Sequence, residues 1–109
     1  MTYVPQKGDL GFLDFNPQSG VEQDGNRPCI VLSPGEFNQA TQLAVVCPVR
    51  SNSRGWPFEE KLPDGLKLKG YILTDQIRSV DWKARNFNKR DEAPPEVITA
   101  CLEKIHAFL

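Results

Sequence analysis

Histidine is almost missing from this chain: His106 is the only one. No Cys-x-x-Cys pair and no paired-acid motif stands in for it, so neither a protein-bound metal nor any other cofactor is expected. Hydrolytic chemistry would have to proceed by other means. Cysteine is sparse as well, with Cys29, Cys47 and Cys101 each inside an apolar run. An odd number cannot pair completely, and the reading is three buried thiols rather than a disulfide framework or a ligand set. No apolar stretch approaches the roughly 20 residues of a membrane span. The opening Met1-Thr2-Tyr3-Val4-Pro5 lacks the basic and apolar regions of a signal peptide, so the expected location is the cytoplasm, with no membrane partner. Charge of one sign is lacking too: the formal net charge is −1 and the pI about 5.8. That excludes nucleic-acid binding by bulk electrostatics alone.

What is present fits a single domain spanning 1–109, with 39% apolar and 25% charged residues. Nine prolines and eight glycines cut the first two thirds into short apolar segments, the signature of a compact, mainly β architecture. Asp9 to Phe15 alternates, with Leu10, Phe12 and Asp14 on one face. Arg27 to Leu32 and Leu43 to Val49 are continuous, as strands buried on both sides should be. Pro57 to Leu62, Gly70 to Thr74 and Gln76 to Val80 complete the expected strands, with Pro63-Asp64-Gly65 as a turn. Ser33-Pro34 before Glu36 predicts a helix N-cap with proline at the first position, and a short helix over 35–41. After Pro94-Pro95 the period changes: Val97, Ile98, Cys101, Leu102, Ile105 and Phe108 recur on one helical face, an amphipathic helix expected to close the barrel. His106 sits off that stripe without an acidic or cysteine partner nearby in sequence.

The residues with chemistry cluster in three blocks. Glu22-Gln23-Asp24-Gly25-Asn26-Arg27-Pro28 stations an arginine where a polar loop enters an apolar strand. A guanidinium offers a rigid fork of donors and stays charged, so it can hold a phosphate and neutralise charge that grows during its displacement. Pro48-Val49-Arg50-Ser51-Asn52-Ser53-Arg54-Gly55-Trp56-Pro57-Phe58-Glu59 follows, then Thr74-Asp75-Gln76-Ile77-Arg78-Ser79-Val80-Asp81-Trp82-Lys83-Ala84-Arg85. Between Lys67 and Arg90, seven basic residues face only Asp75 and Asp81. This reads either as a solvated charged surface or as a local basic groove.

In that order and spacing, the blocks resemble the MazF/PemK family of toxin endoribonucleases. Asp14-Phe15-Asn16-Pro17, Gly20 with Glu22-Gln23, Leu32-Ser33-Pro34, Gly55-Trp56-Pro57-Phe58-Glu59 and Asp75-Gln76 also fall in register, so the resemblance covers nearly the whole chain. It implies a small SH3-like (CcdB/PemK-type) barrel with short helices, associating as a homodimer whose two copies line an RNA groove. It implies cleavage of single-stranded RNA, usually mRNA, at short sequences, and neutralisation by a cognate antitoxin protein whose disordered segment wraps the dimer. The implied mechanism needs no metal: the RNA's 2′-OH attacks the adjacent phosphorus, leaving a 2′,3′-cyclic phosphate and a 5′-OH end.

Carried onto this sequence, the resemblance makes Arg27 the catalytic cation. Glu22 is a candidate base or an orienter of Arg27, against the plain reading of an exposed loop glutamate. Asp75 is a second candidate base, because one branch of the family pairs an aspartate here with an arginine two residues earlier; this chain has Leu73 there. Most members place a threonine where this chain has Arg50. Either Ser51 supplies the hydroxyl after a local shift, with Arg50 as a second phosphate clamp, or strand alternation prevents that without a bulge and cleavage is weakened while RNA and antitoxin binding persist. Base reading is expected from 16–26 and 51–56, with Asn16, Gln18, Gln23, Arg54, Gln76 and Arg78 as candidate RNA contacts and Trp56 available for stacking or for packing in a core or dimer. The fold's other toxin use, poisoning DNA gyrase through a protein contact, depends on C-terminal aromatics; Ile105-His106-Ala107-Phe108-Leu109 has no tryptophan.

Overall fold

The computed structural model describes residues 2–15 and 26–109. Strands β1 (Asp9–Asp14) and β2 (Asn26–Val31) lead into helix α1 (Gly35–Thr41) and the long strand β3 (Leu43–Arg50). Short strands β4 (Glu59–Lys61) and β5 (Tyr71–Leu73), a 3₁₀ turn (Thr74–Gln76), β6 (Arg78–Asp81) and β7 (Asn88–Glu92) precede the terminal helix α2 (Pro95–His106). The order β4-β5-β3-β2-β1-β7, with β6 also on β3, makes one seven-stranded sheet. Every pairing is antiparallel.

β3 is the axis of this arrangement. One edge pairs with β2, while the other pairs with β6 along Leu43–Val46 and with β5 at Val49 and Arg50. Pro48, which has no N–H to give a ladder, falls in the short gap where that edge changes partner. Gly70, at φ +133°, lies against the Arg50 carbonyl, and any Cβ there would strike it. The glycine therefore lets β5 close onto the end of β3.

Both faces of the sheet are covered. Leu10, Ile30, Leu32, Cys47, Val49 and Ile72 pack beneath Val97, Cys101 and Ile105 of α2. Leu13, Phe15, Cys29, Val31, Ala44 and Val46 pack with Val80 and Trp82 on the other side. The continuous apolar runs of β2 and β3 are thus two-sided strands, as expected. β1 keeps the expected alternation, with Leu10 and Phe12 on one face, but Leu13 and Phe15 are buried on the other, so it too is covered on both sides. Among the described residues the sheet keeps free ends at β4 and β7, so α2 covers one face of an open, SH3-like sheet rather than closing a barrel.

Two further details differ from expectation. Pro34 is the N-cap of α1 and no side chain caps it. Ser33 is buried instead: its hydroxyl donates to Asn38 Oδ1 at 2.5 Å and accepts the Val45 N–H at 2.8 Å. Asn38 in turn donates to the Pro5 and Ser33 carbonyls, and its own carbonyl accepts the Trp82 indole N–H at 2.8 Å. That network spends a helix residue as a buried polar hub. Strand β7, Asn-Lys-Arg-Asp-Glu, has no apolar residue to announce it. Pairing with β1 and an ion pair hold it: Lys89 lies 3.3 Å from the buried Asp9 and 2.5 Å from Glu92.

Candidate nucleic-acid interface

Strand register decides where the charged side chains go. On β2, Arg27 shares a face with Cys29 and Val31, because alternate residues point the same way. Cys29 pairs with Pro48 and Val31 with Val46, so Arg50, two residues beyond Pro48, belongs to the same face on the neighbouring strand. Arg78 pairs with Val46 and joins them from β6. Three arginines from three strands are therefore set on one face of the sheet around the same edge of its apolar cluster. Arg27 and Arg78 are exposed, and the Arg78 guanidinium stands 5.3 Å over the Phe15 ring. Arg50 is half-buried, and its buried Nε finds no hydrogen-bond partner among the described residues. An orphaned buried donor on a cation is suited to an incoming anion.

The loop that follows β3 is tied down by a residue to which the sequence assigned no role. Glu59, first residue of β4, accepts the Ser53 hydroxyl at 2.7 Å and the Arg54 backbone N–H at 2.9 Å. Its own N–H reaches the Trp56 carbonyl at 3.1 Å. The Arg54 amide, then the Ser53 hydroxyl, with a smaller pull from Arg50, hold the Glu59 carboxyl below its ordinary range. The only sequence signal for this latch was the turn chemistry of Gly55-Trp56-Pro57, which folds the chain back onto Glu59. Ser51 is exposed just past the end of β3, at the first position freed from strand alternation.

Asp75 and Gln76 are exposed in the 3₁₀ turn between β5 and β6. The Trp56 indole N–H donates to Asp75 Oδ2 at 3.1 Å. Arg54, Trp56, Glu59, Leu73, Asp75 and Gln76 line a cleft of about 290 Å³. The structure thus brings together Arg54, Trp56, Asp75 and Gln76, and separately aligns Arg27, Arg50 and Arg78. Trp56 is 51% exposed, which removes the core reading for it, whereas Trp82 is buried and structural. Glu22, Asn16, Gln18 and Gln23 lie outside the described residues.

The basic run does not form one groove. Lys89 is engaged by Asp9 and Glu92, Arg90 lies 5.2 Å over the Phe12 ring, and Arg85 Nη1 donates to the Asp14 carbonyl at 3.2 Å. Among the described residues no group of three or more His, Cys, Asp and Glu could hold a metal ion, and no helix is long and apolar enough to cross a membrane. All three cysteines are free and buried. Burial pushes the Cys29 and Cys101 thiols up to about 12 and Cys47 higher still.

An open, two-faced antiparallel sheet with three arginines on one face and a latched loop beside a 3₁₀ turn places the chain in the SH3-like class of small, mainly β proteins. Comparison with known proteins makes the class specific. Residues 6–109 match the family described as PemK-like, MazF-like toxin of type II toxin-antitoxin system, and the chain belongs to that family. It is similar to the endoribonuclease toxin MazF of Escherichia coli (strain K12), 39% identical over 107 residues that cover 98% of this chain and 96% of that protein. The endoribonuclease PemK of Escherichia coli is 31% identical over 108 residues, 95% of this chain and 81% of that one. A MazE-MazF crystal structure from Deinococcus radiodurans superposes with a TM-score of 0.91 at 43% identity, covering 97% and 96% of the two chains.

Proposed function

We propose that this chain is a sequence-selective endoribonuclease that cuts single-stranded mRNA through the RNA's own 2′-OH, as the toxin of a type II toxin–antitoxin pair. The observation that carries the reading is the alignment of Arg27 and Arg50 on one sheet face, with Arg50 Nε buried and unpaired among the described residues, in a chain of this family. Arg27 neutralises the charge that develops on the phosphorane-like transition state. Arg50 clamps a phosphate, and the Ser51 hydroxyl, free of the strand, supplies the donor that a threonine provides in most of the family. Glu22 is the base or orients Arg27. DNA lacks the nucleophile and is spared.

The relatives support the partners. A MazE-MazF complex among the similar structures favours an antitoxin that covers the toxin, and the family favours a homodimer in the cytoplasm. The test is incubation of antitoxin-free protein with a long single-stranded RNA in EDTA, with cut positions and end chemistry mapped by primer extension. Discrete cuts with 2′,3′-cyclic phosphate and 5′-OH ends are expected. Uncut RNA that still binds would overturn the nuclease reading and leave a binding protein disabled at Arg50.

A further inference from the structure

We propose that the cleft beside the 3₁₀ turn is a nucleobase subsite, with Trp56 as its stacking platform and with Asp75 and Glu59 as positioning residues that hold the indole in place. The inference rests on the ribonuclease reading above and narrows it. A half-exposed tryptophan in a loop would ordinarily be mobile. Trp56 is instead held at its ring, where the indole N–H donates to Asp75, and at its backbone, where the main-chain carbonyl accepts the Glu59 N–H. Glu59 in turn closes the loop through Ser53 and Arg54. A ring held in this way binds a flat partner without first losing rotamer freedom.

The direction of the indole bond adds to the argument. Nε1–H lies in the plane of the ring, so Asp75 sits at an edge of the indole and not over a π face. The cleft of about 290 Å³ takes a planar base. Arg54 at its rim supplies the cation for a phosphate on the same nucleotide, and the Gln76 amide supplies both a donor and an acceptor for a base edge. Single-stranded RNA combines these three chemistries. Asp75 is thereby assigned to orienting Trp56 rather than to proton transfer.

The experiment reads tryptophan emission while antitoxin-free protein is titrated with a short, mixed-sequence 2′-O-methyl oligoribonucleotide, which cannot be cleaved. Trp82 is buried on the Asn38 carbonyl, so a ligand in the cleft reports through Trp56. Quenching is expected in the wild type and is lost in Trp56→Phe. Trp56→Ala lowers affinity by roughly five- to a hundredfold. Asp75→Asn, whose carbonyl still accepts the indole N–H, keeps the quench and raises KM less than Asp75→Ala does. Unaltered thermal unfolding of each variant establishes that the fold is intact.

Quenching that survives in Trp56→Phe, or wild-type affinity in Trp56→Ala, overturns the subsite. Loss of kcat in Asp75→Asn and Asp75→Ala alike, with quenching intact, returns Asp75 to the role of base and overturns its assignment as a positioning residue. A response to an acidic peptide alone, with none to RNA, overturns the proposal in favour of a protein ligand. Cleavage of long RNA by the wild type is scored separately: its absence would remove the nuclease reading and leave the quench, whereas cleavage without quenching would remove only the subsite.

Discussion

Two arginines on one face have opposite surroundings, and that difference predicts how each responds to removal. Arg27 is exposed at the start of β2, so Arg27→Ala should leave the unfolding midpoint unchanged while lowering cleavage by about a hundredfold or more, the usual effect of deleting one transition-state donor. Arg27→Lys should not rescue it fully, because an ammonium cannot present the planar fork. Arg50 has its Nε buried without a partner among the described residues. Arg50→Ala should therefore raise KM for RNA by about tenfold or more, reduce the salt slope of binding by about one, and cost little stability. Steady-state kinetics at two salt concentrations with a denaturation curve check both. Arg27 was legible from its place at the mouth of an apolar strand; the alignment of Arg50 with it was not, since register between strands is invisible to local pattern.

At the scale of the element, the stretch from Ser51 to Glu59 behaves as a latched loop. The latch is a carboxylate whose folded pKa is depressed by the Arg54 amide and the Ser53 hydroxyl. Its contribution is present above the ordinary carboxylate range and is lost as pH falls through the depressed value. The Arg54 amide resonance should accordingly shift on acidification with a midpoint below the ordinary 4.5, and a midpoint at or above that value would remove the latch. At neutral pH, Glu59→Gln should make the bond after Arg54 cut faster by trypsin. The other elements divide by the same logic. β2, β3, α1 and α2 carried their own periodicity and turn chemistry. β7 has none, and becomes a strand because β1 offers it a ladder and Asp9 offers Lys89 a buried counter-charge. Glu92 first, then Tyr3 and Asp9, hold the Lys89 ammonium charged well above the usual lysine range.

For the whole molecule, the apolar clusters on the two faces enclose all three cysteines, and desolvation keeps their thiols protonated. A thiol reagent at pH 8 should react slowly with the folded protein and with three equivalents once denaturant is added. Rapid reaction of any one in the native state would contradict the burial. The basic excess between Lys67 and Arg90 also acquires its meaning only at this scale. Folding engages Lys89 with a carboxylate pair, Arg90 and Arg78 with aromatic rings and Arg85 with a backbone carbonyl, while register sets Arg27 and Arg50 opposite each other on one face.

By itself the sequence determined what is local: two-sided strands from unbroken apolar runs, helices from period and proline punctuation, unpaired thiols, and the residue types that can hold a phosphate. It also carried enough ordered motif to mark the family. Tertiary structure decided what depends on which residues meet. The orphaned Nε of Arg50, the Trp56–Asp75 contact, the Asn38 hub and the open sheet all arise between segments distant along the chain. Side-chain chemistry is written residue by residue, but partnership is set by strand register and by the packing of one face on another, and those are properties of the fold.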